Sequence, residues 1–277
     1  MSTLFVVATP IGNLGDITLR ALETLRECDF VAAEDTRVTL KLLNHFDIKK
    51  PLVSCHEHST HDSVERIAAR ISGGETCALV SDAGMPAISD PGRELVALCH
   101  REGIPVRVIP GASAVVSAVA LSGLDAARFC FEGFLSTTSR VRRDRLAELK
   151  TEPRAMVFYE APHKLAKTLR DLAEAFGESR RVSISRELTK LHEETFITTL
   201  GEAASRYADG SARGEFALVV EGAPIPETDA FDPDAPFKEA KRLVEEEGLS
   251  ASAAAKRAAA MFKIPKGEIY RALTREE

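Results

Sequence analysis

The sequence predicts an α/β protein: an α/β domain on a parallel, Rossmann-like sheet, a second α/β domain on a mixed sheet, and a small helical C-terminal module. Three observations predict it. Short apolar runs alternate with helically spaced segments through the first half, the signature of βαβ units and a parallel sheet covered on both faces. In the second half the last strand-like runs follow one another with little helix between them. That pattern reads as a mixed α/β sheet. After Glu221-Gly222, residues 223–229 read as a linker by composition, and the segment beyond them has helical spacing only.

Each element has its own signal. A chain of 277 residues at roughly 150 per domain gives about two domains. The first, residues 1–121, carries apolar runs at 4–8, 30–33, 52–54, 77–81 and 106–109. Between them stand Leu19, Leu22 and Leu25, then Val64, Ile67, Ala68 and Ile71, at helical spacing. The second, residues 122–222, begins near Leu121-Ser122-Gly123. Its expected strands are 129–134, 155–159, 182–185, 195–199 and 216–220, with helices at 139–149 and 164–176. The module, residues 223–277, reads as three helices. One spans 237–247 and stops at Gly248, one starts at a Ser250 or Ser252 cap and ends near 262, and one comes after Pro265.

Composition narrows the function classes. The apolar fraction of 44% and charged fraction of 28% are those of a soluble globular protein. No stretch approaches the roughly 20 apolar residues of a membrane span. The chain enters Leu4-Phe5-Val6-Val7-Ala8 with no basic leader, and its five scattered cysteines form no Cys-x-x-Cys pair, so a reducing cytoplasm is expected. A net charge of −6 excludes attraction of nucleic acid by the molecule as a whole, leaving RNA contact to local basic surface. The densest run is Arg140, Arg142, Arg143 and Arg145, in a segment (136–154) of net +3. Residues 249–277 are also net +3, with Lys263 and Lys266 between two helices of helix-turn-helix-like spacing. A solvated helix face and a plain packing module are the alternatives.

Four strand-end loops carry possible chemistry. Thr9-Pro10-Ile11-Gly12-Asn13-Leu14-Gly15-Asp16-Ile17-Thr18 lacks the Gly-x-Gly-x-x-Gly dinucleotide spacing, and Asp16 or Thr18 would cap the next helix. Glu34-Asp35-Thr36-Arg37 sets three charges at the end of a buried strand: a charged cleft, or a helix cap at Asp35 beside a solvated Arg37. Residues 81–92, from Ser81-Asp82-Ala83-Gly84 to Asp90-Pro91-Gly92, form a long acidic loop. Pro110-Gly111-Ala112-Ser113-Ala114 opens another helix with small residues that let a ligand lie against backbone. His56, His58 and His61 suggest metal binding, but the pattern has Thr60 where a metallo-β-lactamase motif needs Asp, so no metal is expected.

Together with Glu132-Gly133-Phe134, Phe158-Tyr159-Glu160-Ala161-Pro162-His163, Arg186-Glu187-Leu188-Thr189-Lys190 and Gly214-Glu215-Phe216, these strings occur in a specific order. In that order they resemble the tetrapyrrole-methylase-like (class III) methyltransferases, and within them the branch that acts on small-subunit ribosomal RNA. The resemblance covers residues 3–222 closely. It implies S-adenosylmethionine in a cleft between two α/β domains, a homodimer, and 2′-O-methylation of cytidine 1402 of 16S rRNA in the 30S subunit. It implies donor contacts at Pro10, Asp82, Ala83, Gly84, Met85, Ile88, Ser113, Ala114, Phe158 or Tyr159, Leu188 and Phe216. Ser81-Asp82-Ala83 replaces the Gly-Asp-Pro of the wider class, which leaves that loop's geometry open. For the methyl acceptor, Asp35 or Glu160 is the expected base, and Arg37 or Lys190 the phosphate or oxyanion partner. A tetrapyrrole or other small-molecule methyltransferase is the first alternative, and a non-catalytic RNA-binding assembly factor the second.

Overall fold

In the computed structural model, which describes residues 2–56, 61–224, 234–262 and 264–274, the apolar runs of the first half become five strands. They are β1 (Thr3–Val7), β2 (Phe30–Ala33), β3 (Leu52–Ser54), β4 (Thr76–Val80) and β5 (Val106–Ile109). All pair in parallel, in the order β3-β2-β4-β1-β5. The strand period of two sends Leu4, Val6, Phe30 and Leu79 to one face and Val7, Val31, Ala33 and Val80 to the other. The first face is covered by α3 (His61–Ser72) and α4 (Arg93–Arg101). The second is covered by α1 (Leu19–Glu27) and α2 (Thr36–His45). The chain leaves β1 for β2, two places away, and later inserts β4 between them. The loops after β1, β4 and β5 therefore end side by side at the carboxyl edge, where open α/β sheets bind ligands. Thr18, not Asp16, caps α1 by accepting a hydrogen bond from the Ala21 amide.

The second sheet runs β6 (Phe129–Phe134), β7 (Ala155–Glu160), β10 (Phe216–Val220), β8 (Arg181–Arg186), β9 (Glu194–Thr199). Only β6 and β7 are parallel, so the sheet is mixed, as expected. Met156, Phe158, Ile184 and Leu218 pack against α6 (Ser139–Leu149), α7 (Pro162–Phe176) and α8 (Leu200–Arg206). Val157, Ala217 and Val219 on the opposite face pack against Val115 and Ala118 of α5 (Ala114–Leu121). This helix starts at the end of the first sheet and buries itself on the second, which ties the two α/β domains together. The sequence reading omits α8, although its Thr199-x-x-Glu202 capping box, complete in the structure, is a legible start signal.

Residues Met1–Ala223 form one compact unit and Pro224–Glu277 a second. The second contains α9 (Ala235–Glu245), α10 (Ala251–Phe262) and α11 (Lys266–Leu273), close to the expected positions. They close on a small core of Ala240, Ala255, Ala258, Ala259 and Ile269. Lys263, His58 and most of the expected linker lie outside the described residues. No helix among the described residues is long and apolar enough to cross a membrane. All five cysteines are free, and burial pushes the Cys99 and Cys130 thiols up to about 11.

One member of the basic run is not on the surface. Arg142, expected to face RNA, is 6% exposed and turns inward from α6 onto α7. Its Nε donates to Asp171 Oδ2 at 2.6 Å and its Nη2 to Thr168 Oγ1 at 2.8 Å. Thr168 Oγ1 donates in turn to Glu160 Oε2 at 2.5 Å, and Lys167 Nζ donates to Asp171 at 2.7 Å. Two cations and two carboxylates balance, which is how a protein interior tolerates such charges. The expectation that Arg142 is a phosphate contact is corrected accordingly: a guanidinium buried inside the fold and bonded to Asp171 and Thr168 is not available to RNA. Arg142→Ala should destabilise the protein by about 1–3 kcal/mol, because it strips Thr168 and Asp171 of a buried donor and leaves Asp171 to Lys167 alone. The exposed Arg140→Ala should change stability by less than about 0.5 kcal/mol, and denaturant unfolding measures both.

Candidate functional site

A cavity of about 510 Å³ opens where loops of the two sheets meet. That volume suits a small-molecule ligand. The first sheet contributes Ile11, Ala83, Gly84, Met85, Ile88, Ser89, Asp90, Ser113, Ala114 and Val115. The second contributes Phe134, Tyr159, Glu160, Ala161, Pro162, His163, Ser185, Leu188, Glu215, Phe216 and Ala217. The first loops are fixed by backbone pairing: Thr9 N donates to Gly84 O at 2.9 Å and Gly84 N to Thr9 O at 3.1 Å. Thr9 Oγ1 adds a bond to Ser81 O at 3.1 Å. Ser113 is the N-cap residue of α5, and its extended φ of −149° turns the chain from β5 into that helix.

Leu188 enters the cavity on a strained turn. Glu187 and Thr189, on either side of it, have φ of 52° and 66° without being glycine. Such conformations persist only where the surroundings over-determine them. Glu187 N donates to Glu215 O at 2.9 Å, and Thr189 N to the Glu193 carboxylate at 2.5 Å. Lys190 Nζ lies between Glu187 (2.8 Å) and Glu215 (2.9 Å), which hold its pKa up against the pull of partial burial. Its aliphatic stem crosses the first loop at Gly12, where a Cβ would stand 2.5 Å from Lys190 Cγ and 3.0 Å from Leu188 O. Gly12 is thus needed for close approach of the two loops.

Beyond the Asp82 loop stands an acidic group. Asp82 N donates to Glu34 Oε2 and Asp35 N donates to Asp82 Oδ1, each at 3.2 Å. Burial raises the Glu34, Asp82 and Asp90 carboxyls above their ordinary values, and repulsion from neighbouring carboxylates, Asp35 among them, adds to it. Asp35 behaves oppositely. It caps α2 and takes a bidentate pair from Arg37, whose hydrogen bonds bring its pKa down to about 2. Arg37 remains 87% exposed in its side chain. The acidic group gives this side of the cleft a negative potential, suited to a cationic ligand.

Comparison with known proteins places this architecture. Residues 3–204 match the model of the family described as Tetrapyrrole (Corrin/Porphyrin) Methylases. The chain is 46% identical over 270 residues to the ribosomal RNA small subunit methyltransferase I of Synechocystis sp., covering 98% of this chain and 96% of that one. It is 50% identical over 222 residues to the protein of the same description from Thermotoga maritima, covering 80% and 99%. The chain belongs to the ribosomal RNA small subunit methyltransferase I family. Among solved structures it is similar to cobalt precorrin-4 methyltransferase, with a TM-score of 0.60, 19% identity, and coverage of 79% of this chain and 95% of that one. It is also similar to diphthine synthase, with a TM-score of 0.58, 16% identity and coverage of 79% and 89%. At these identities the likeness establishes the fold, two α/β domains of the class III methyltransferases.

Within this family member, the residues expected at the donor site divide by position. Ala83, Gly84, Met85, Ile88, Ser113, Ala114, Tyr159, Leu188 and Phe216 line the cavity. Pro10 is buried behind it, with Ile11 at the wall. Asp82 faces the acidic group while Asp90 reaches the wall. Phe158 is corrected: at 0% exposure it points into the α7-side core, because strand alternation gives the cavity face to Tyr159. Glu160 shares the Phe158 face. Its Oε1 accepts from Ala161 N at 2.9 Å and its Oε2 from Thr168, so it anchors α7 and is not free to act as base. Asp90, Phe134, His163 and Glu215 were missed as site residues, although each stands in a string that carries the resemblance. Ser185 and Ala217 gave no signal, since only the sheet face exposes them. Among the described residues no three His, Cys, Asp or Glu side chains gather as a metal site.

The Asp35–Arg37 pair has a pH signature. A depressed carboxyl contributes stability above its ordinary value of 3.8, and that contribution is lost as pH falls through about 2. By NMR, Asp35 should titrate near about 2 in the wild type and higher, but still below 3.8, in Arg37→Ala, because the backbone amide of residue 37 continues to donate to Asp35 Oδ1. An unchanged Asp35 titration in the variant would show that Arg37 does not hold it.

Proposed function

We propose that this chain transfers the methyl group of S-adenosylmethionine to the 2′-hydroxyl of cytidine 1402 of 16S rRNA in the small ribosomal subunit. The observation that carries the reading is family membership along almost the whole chain, joined to a cleft whose residues suit the donor. Backbone-rich loops at Gly84 and Ser113, an apolar wall of Met85 and Leu188, and an acidic side fit an adenosine bearing a sulfonium and an amino-acid tail. When bound, the donor supplies an electrophilic methyl group. The chain's residues must align it with the acceptor oxygen, which is worth up to roughly 7–11 kcal/mol. A tetrapyrrole acceptor, the first alternative, has the fold likeness but not the near-full-length relatives on its side.

The acceptor proton needs a receiver on the cavity wall. Asp35, ion-paired to Arg37, is a weak base, and both oxygens of Glu160 are engaged. His163, exposed on the wall at the start of α7, takes that role in our reading. Arg37 contacts an RNA phosphate. Lys190, held by two carboxylates, positions the Leu188 wall instead of meeting RNA. Arg140, Arg143 and Lys266 are exposed and meet phosphates, Arg140 giving up its loose pair with Asp144 and Lys266 its bond to Ser252, whereas Arg145 is tied to Glu132 and Glu148. The protein works in the cytoplasm. It works as a homodimer, supported by exposed Val108 on the edge strand β5 and exposed Val116 and Leu121 on α5.

Incubation with methyl-labelled donor and 30S subunits lacking the modification should place the label at cytidine 1402; label elsewhere, or none, refutes the reading. His163→Ala should lower kcat by about 10²-fold or more with donor affinity unchanged. Lys190→Ala should weaken donor binding in calorimetry along with turnover, whereas Arg37→Ala should lose turnover alone. Equal donor affinity in all three variants would disprove the positioning role of Lys190.

A further inference from the structure

Side chains on a strand alternate faces, so residues three apart point to opposite sides of a sheet. Phe131 and Phe134 of β6 are three apart, yet both stack against Tyr159. Their ring centroids lie 5.0 Å and 5.7 Å from its own, with interplanar angles of 67° and 64°. The cause is a β-bulge. The register with β7 shifts between Phe131, opposite Val157, and Gly133, opposite Phe158, which makes Glu132 the extra residue. Gly133 takes φ +61°, which side chains disfavour. The Glu132 side chain, 8% exposed, accepts hydrogen bonds from Arg145 Nε at 2.8 Å and Nη2 at 2.9 Å, so α6 clamps the bulge. Bulges beside sites serve to re-aim a side chain. This one turns Phe134 onto the rim of the cavity, where it is 60% exposed.

The ring stands at the rim. Leu188 deeper in the wall is 8% exposed and Gly84 is buried, whereas Phe134 stands open to whatever arrives from solvent. Basic side chains open the two helices at this end of the sheet. Since β6 and β7 are adjacent and parallel, α6 and α7 begin at the same end of the sheet. They carry exposed Arg140 and Lys164 there, with His163 beside them on the cavity wall. An aromatic face beside cations matches a nucleotide: the base stacks on the ring while phosphates meet the charges.

Resting on the RNA substrate proposed above, we propose that Phe134 is the platform on which the target nucleobase stacks when its nucleotide is drawn out of the RNA. Extrusion exposes the ribose 2′-hydroxyl to the cavity. Arg145 is then a positioning residue, acting through Glu132 and the bulge.

Phe134→Ala and Phe134→Leu should lower kcat/KM for labelling unmodified 30S subunits about 10-fold, chiefly through KM for the subunits. Donor affinity and thermal midpoint should stay at the wild-type values. Phe134→Tyr should retain most activity. The chain contains no tryptophan, so Phe134→Trp supplies a single fluorescent reporter, expected to be active and unquenched by S-adenosylmethionine alone. The proposal is overturned if Phe134→Leu labels subunits as fast as the wild type, if its donor affinity falls in step with turnover, or if the donor alone quenches the tryptophan. A wild type that leaves the subunits unlabelled would overturn the RNA reading itself, a result distinct from a loss confined to the variants.

Discussion

Two backbone hydrogen bonds between Thr9 and Gly84 are the constraint on which the site depends. They form an isolated antiparallel bridge between the loops that follow the parallel strands β1 and β4, so that two loops of very different sequence form one surface. Strand order makes this possible, because β4 enters the sheet beside β1 only after the chain has built β2 and β3. The β5 loop falls in place on the other side of β1, and its helix α5 carries the connection onto the second sheet. Loops that meet in this way hold a ligand without waiting for side chains to order, which lowers the entropic cost of binding.

The second sheet answers with devices that re-aim side chains. On β6 a bulge moves Phe134 to the cavity face; after β8 a strained turn moves Leu188 there. Each is held by a basic residue paired with carboxylates, Arg145 with Glu132 and Lys190 with Glu187 and Glu215. Strain of this kind persists because neighbouring bonds over-determine it. The basic helix α6 therefore has two jobs. Arg142 and Arg145 hold the fold, while Arg140 and Arg143 face solvent. In a protein of net charge −6, that division limits how much of the local basic surface is left for a polyanion.

Periodicity and turn chemistry alone determined the strands and most helices, because apolar spacing of 2 or 3.6 is a local property that burial enforces wherever the element ends up. The ordered strings, from Pro10-Ile11-Gly12 to Gly214-Glu215-Phe216, likewise determined the family and the loops that form the cleft. Tertiary structure alone decided which face each residue took. Phe158 and Tyr159 are neighbours of similar chemistry, and only the pairing of β7 sends one to the core and the other to the cavity. Arg142 reads as one more surface arginine until α7 brings Asp171 and Thr168 against it. Glu160 reads as a base until the Ala161 amide takes one of its oxygens and Thr168 of the same helix the other. Long-range partners determine availability, and a linear pattern does not contain them.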